Sequence, residues 1–167
     1  MKKVLKFAGL ISAVLALAAF IFLLAGNAIV YETSSATYKV VGTRALFGGE
    51  VETLLGTVTY KPAATALIAW ILILVAMLIL VLGVVLPLLK VKALEKIGGI
   101  LNLAAVCALV IGGVLLFFTK GVYASANDIN LDDWKLAFAF VFAGILSIVA
   151  GLIALAPAAV DFMGKKK

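Results

Sequence analysis

The sequence predicts an all-α integral membrane fold, a bundle of four transmembrane helices carrying a small β-rich extracytoplasmic first loop. Three observations predict it. Of 167 residues, 66% are hydrophobic and 13% charged, with a mean hydropathy of +1.29, whereas soluble domains run at about 45–50% and 25%. Four apolar runs each reach the roughly 20 residues that a helix needs to cross a bilayer. One long polar segment, Tyr31 to Lys61, separates the first two runs and has no place in lipid.

The first run extends from Phe7 to Val30, behind Lys2, Lys3 and Lys6. It exceeds the roughly 7–15 apolar residues of a secretory signal and reads as the first span. The polar segment follows, rich in Thr, Val and Tyr and punctuated by Gly42, Gly48, Gly49 and Gly56. Alternation over Thr37–Val41 and again over Glu50–Tyr60 predicts at least two antiparallel strands with Gly48-Gly49 in or near the turn between them. A lone hairpin is marginal in water, so it rests on the helix ends or recruits the second outer loop as another strand. Its tip is Arg44-Ala45-Leu46-Phe47, and Arg44, Leu46 and Phe47 are the candidate partner contacts.

Pro62 opens the second span, expected over residues 63–89. A short basic connection, 90–96, makes the second and third spans an antiparallel hairpin. The third span is expected over 97–118, the second outer loop over 119–135, the fourth span over 136–160 and a tail over 161–167, all within a single membrane domain. Nine lysines (Lys2, Lys3, Lys6, Lys90, Lys92, Lys96, Lys165, Lys166 and Lys167) flank one side of the membrane. Five basic residues (Lys39, Arg44, Lys61, Lys120 and Lys135) lie on the other. The positive-inside rule then places both termini in the cytoplasm of a multi-pass plasma-membrane protein.

Lipid tails are as apolar as leucine, so bilayer helices associate through close packing of small residues. Rows four apart predict the packing faces: Ala8-Ser12-Ala16 on the first span, Ala104-Ala108-Gly112 on the third, and Ala139-Ala143-Ser147-Gly151 on the fourth. The second span lacks such a row. Spans one, three and four are therefore expected to pack together, with the second more open to lipid or a partner.

No Asp, Glu, Lys or Arg occupies the centre of a span, which disfavours proton-coupled transport and intramembrane catalysis. With no histidine and the single Cys107, neither a Cys/His metal site nor a disulfide within one chain is available. No catalytic residue, metal or cofactor is expected. Cys107 reads as a small core residue, and Asn102 as a possible intramembrane polar contact, most simply an interhelical hydrogen bond. Asp128-x-Asn130-x-Asp132 starts like a calcium loop but breaks at Asp133 and Ala139. It reads better as capping, with Asn130 or Asp132 accepting from the first amides of the fourth span. Trp134 is an interface anchor, and Trp70 is packed or lipid-facing.

Four spans, both ends inside and a strand-rich first outer loop resemble the layout of the claudin-like tetraspan membrane proteins. The resemblance is one of topology alone, because the Trp and paired Cys of that family's first loop have no counterpart between Tyr31 and Lys61. Tetraspanins are less similar, since their large loop comes second. The expectation is a non-enzymatic protein whose partners are the lipid bilayer and either copies of itself or another membrane protein, not nucleic acid. It presents its outer surface for self-assembly or as an accessory subunit. The alternative is a small transporter or channel component whose path forms between protomers and is lined by Asn102, Ser147 and Thr119.

Overall fold

A chain segment withdrawn from water must satisfy its backbone groups internally, which long apolar runs do by becoming helices. The computed structural model describes residues 2–32, 34–53, 56–85 and 98–163. In chain order these form α1 (Lys2–Ala25), β1 (Asn27–Glu32), β2 (Thr37–Val41), α2 (Gly42–Phe47), β3 (Gly49–Thr53) and β4 (Gly56–Tyr60). There follow α3 (Ala64–Val85), α4 (Gly98–Phe117), α5 (Thr119–Ala126), β5 (Lys135–Leu136) and α6 (Phe138–Met163). Helices α1, α3, α4 and α6 are each long and apolar enough to cross a membrane. The basic connection expected over 90–96 lies outside the described residues.

The four long helices form a ring. Helix α6 packs against α4 and α1, and α3 closes the circuit by packing against the same two helices. The fourth span packs most extensively on the third and first, as expected, but α1 and α4 stand diagonally, and α3 closes the ring where it was expected to stand more open. It buries Ala66, Ala69, Ile73, Ala76 and Leu80. Those positions step by three as well as four, so the face follows the 3.6-residue turn without forming a row of small residues four apart.

On α1, Ser12 and Ala16 are buried and Ala8 is half-buried. On α6, Ala143, Ser147 and Gly151 are buried and Ala139 is half-buried. The row on α4 divides: Gly112 is buried, Ala108 half-buried and Ala104 exposed. The buried face of α4 is instead Ala105, Val106, Leu109, Gly112, Gly113 and Leu116. Its two glycines serve different neighbours. A Cβ on Gly112 would meet the Ala69 carbonyl of α3 at 3.3 Å, while one on Gly113 would meet the Gly144 carbonyl of α6 at 2.7 Å. Two serines tie the helices further. Ser12 Oγ donates to the Ala150 carbonyl, and Ser147 Oγ donates to the Leu109 carbonyl at 2.8 Å. Each bond of this kind contributes about 0.6 kcal/mol in a membrane helix pair. Leu10, Leu17, Ile68, Val75, Ile111 and Leu152 face outward, as suits a surface wetted by lipid rather than water.

At one end the strands form two small sheets. Strands β2, β1 and β5 make a three-stranded antiparallel sheet with β1 in the centre, while β3 and β4 pair only with each other. The expected single hairpin is thus corrected to two, for two local reasons. First, α1 ends at Ala25 and not at Val30. Gly26 and Asn27 are poor helix formers, and the Ile29-Val30-Tyr31 run that follows suits a strand. Second, the Glu50–Tyr60 run folds back on itself, pairing Glu50 with Thr59, Val51 with Val58 and Glu52 with Thr57. Gly56 at φ +123° supplies a backbone turn that L side chains rarely adopt. Helix α2 occupies the place where the first turn was expected.

Candidate functional site

The strand-bearing end gathers most of the polar chemistry of the described residues, and its parts are held by a few specific contacts. The three-stranded sheet grows directly from α1. Gly42 N–H donates to the Gly26 carbonyl at 2.8 Å, and Ala137 N–H donates to the Ala28 carbonyl at 2.8 Å. Ile29, Val40 and Leu136 lie in register across the sheet, and Ile29 and Val40 are buried. Two residues further along the same face, Tyr31 and Tyr38 pair across the strands, and Trp134 stacks on Tyr31 with centroids 5.5 Å apart. Trp134, expected as an interface anchor, thus joins a three-ring aromatic cluster.

The second loop departs from expectation in its first part, which is the helix α5; its end pairs with β1 as β5, the further strand it was expected to offer, and α6 begins only at Phe138. The first amides of α6 are served by a backbone group: Phe140 N–H and Val141 N–H donate to the Ala137 carbonyl. Asn130 does not cap that helix. Its Oδ1 accepts from Asp132 N–H at 2.8 Å, closing a local Asx turn.

Asn127 joins the two connections at the strand-bearing end, a role that nothing in its local sequence announces. Its Oδ1 accepts from Lys61 N–H at 2.6 Å, and its Nδ2 donates to the Lys61 carbonyl at 3.1 Å and the Tyr123 carbonyl at 2.9 Å. The side-chain amide therefore pairs with a backbone peptide 66 residues away. Replacing it with alanine removes all three bonds and is expected to cost about 1–2 kcal/mol. A lowered thermal midpoint in Asn127→Ala, and a loss at least as large in Asn127→Asp, whose carboxylate cannot donate to the two carbonyls, checks this.

Beside that joint, Tyr60 stacks on Tyr123 at 6.3 Å, and the Arg44 guanidinium lies 5.9 Å from the Tyr60 ring centroid. Tyr123 is almost fully buried. Burial pushes its phenol above the ordinary tyrosine pKa, against the pull of the Arg44 charge and with a further rise from Tyr60. Folding therefore favours the neutral phenol. Its contribution to stability is complete below about pH 10 and is lost as the pH climbs through the raised value. Thermal unfolding followed from about pH 8 to pH 11 is expected to show a falling midpoint above about pH 10, and Tyr123→Phe to flatten part of that fall.

The three candidate contacts on α2 divide. Arg44 is half-buried, Phe47 is 52% exposed, and Leu46 is fully buried beneath the helix. An amphipathic turn explains this: Arg44 and Phe47 are three apart and share a face, whereas Ala45 and Leu46 point to the core. Phe47 sits edge-on to Trp70 at 5.3 Å, and Trp70 stacks on Phe20 at 5.4 Å. Within the bundle, Asn102 is half-buried on α4, with its Oδ1 facing Gly83 of α3. Cys107, expected in the core, is exposed on the bundle's outer surface, because the glycine-bearing face of α4 turns the other way. Thr119 is fully buried, and its hydroxyl has no partner among the described residues.

No protein-family model matches this chain, and comparison with curated proteins finds no match either.

Proposed function

We propose that this chain is a non-enzymatic plasma-membrane protein with both termini in the cytoplasm, and that its β-rich outer end is a surface for assembly. The partner is a second copy or a larger membrane complex of which this chain is an accessory subunit. The observation that carries the reading is the β3–β4 hairpin. Among the described residues it pairs with no other strand, Glu50, Glu52, Thr57 and Thr59 are exposed, and Val58 is 42% exposed. A two-stranded hairpin is marginal by itself, and unpaired strand edges are templates for another chain. A partner that adds to this hairpin supplies what it lacks.

A solute path between protomers is supported less. Ser147 spends its hydroxyl on the Leu109 carbonyl, and Asn102 faces α3 inside the bundle. The test of assembly is the native mass of the protein extracted gently from its own membrane. A mass above that of the 17.4 kDa chain, as an integer multiple or with a companion, is the expected result. A lone chain is the result against it.

A further inference from the structure

We propose that α2 and the groove between α1 and α3 bind one phospholipid with an anionic headgroup, in the leaflet on the strand-bearing side. The site has a charged top and an apolar stem. At the top is Arg44, whose guanidinium is backed by the Tyr60 ring and has no hydrogen-bond or ion-pair partner among the described residues. Exposed Lys61, three residues before α3, adds positive charge at the same level. A guanidinium presents its donors in a planar fork, the geometry that suits phosphate oxygens. The carboxylates nearest in sequence, Glu50 and Glu52, are exposed, on the face of the hairpin opposite Val51 and Val58.

Below the arginine, one helical turn along α2, Phe47 begins a ladder of rings that continues through Trp70 to Phe20. Trp70 lies six residues into α3, so the ladder descends ~9 Å from the helix end at 1.5 Å per residue. That is the depth at which headgroup gives way to acyl chain, since the interfacial region is roughly 5–7 Å thick on each side. The Trp70 indole N–H is buried with no partner among the described residues. The packing of α1 against α3 is the least extensive of the four between long helices, and Phe20 and Trp70 meet across it. Charge above and rings below match a lipid better than a peptide, which would need acceptors and donors along its length.

The inference rests on the membrane placement proposed above and not on assembly. The chain has two tryptophans, so Trp134→Phe leaves Trp70 as the sole reporter while keeping a ring in the outer cluster. The protein is reconstituted in vesicles of a zwitterionic lipid containing a minor fraction of phosphatidylglycerol brominated on its acyl chains, and quenching of Trp70 is compared with the reverse labelling. Preferential binding of about fivefold is expected from one charge at the membrane surface, and it should fall to about one in Arg44→Gln while Arg44→Lys keeps part of it. Random quenching in the parent, or an unchanged preference in Arg44→Gln, overturns the site. Flotation of the protein with the vesicles reads the membrane placement separately, and failure to float overturns both.

Discussion

Substituting valine for Gly42 is expected to detach the outer sheet from α1 and to lower the thermal midpoint by roughly 6–12 °C, on a cost of about 3 kcal/mol. The reason is that β2 and α2 meet the end of α1 by close approach of backbone to backbone. Gly42 N–H donates to the Gly26 carbonyl, and a Cβ on Gly42 would fall on the Leu23 carbonyl oxygen, with the Gly26 oxygen 2.9 Å away. Neither obstacle is a side chain that can rotate aside, so the backbones must separate. Limited proteolysis of the 27–61 segment should then become fast while the long helices remain protected. A parent-like midpoint and cleavage pattern would show that the sheet does not depend on this junction.

The second large effect is expected at the crossing of α4 and α6. Gly113 and Gly144 face each other closely: a Cβ on Gly113 would lie 2.7 Å from the Gly144 oxygen and from Ile148 Cγ1, and one on Gly144 3.0 Å from the Gly113 oxygen. Helices in lipid gain their contact energy from such close approach, because no hydrophobic effect drives them together. Gly113→Ala is expected to cost about 1–3 kcal/mol by overpacking, and Gly113→Leu to prevent the pair from closing. Gly121→Leu is the matching control, since nothing lies within 4 Å of a Cβ there. Equal midpoints for Gly113→Leu and Gly121→Leu would remove the crossing from the account.

The four long helices were legible because each rests on a run of about 20 apolar residues, a signal that no tertiary contact has to complete. Their packing was legible only in part. The row ending in Ser147 and Gly151 lies on the buried face of α6, but the row on α4 put Ala104 on a face that the bundle leaves exposed. Adjacent Gly112 and Gly113 turn to different neighbours, and spacing on one helix carries no information about which neighbour each will meet. The buried face of α3 was missed because bulky Ile73 and Leu80 interrupt its alanines.

The outer end was less legible because its decisive contacts are distant in sequence. Nothing around Lys135-Leu136 marks a strand, since its two residues pair with Val30 and Ile29 more than a hundred positions earlier. Nothing in the sequence marked Asn127, because the backbone groups it bonds are at Lys61, 66 residues away. The contacts proposed on α2 needed a helix to sort them, and once α2 forms, Leu46 turns inward while Arg44 and Phe47 remain available.

The claim that the free hairpin is the assembly surface is tested most directly by comparing native masses of the parent and Val58→Lys, extracted identically. Val58 is exposed at the middle of β4, so a lysine there spares the fold and puts a charge where a partner would pack. The account predicts a parent mass above 17.4 kDa and a variant that travels as a single chain. A variant with the parent's assembled mass, or a parent that is itself a single chain, would contradict it.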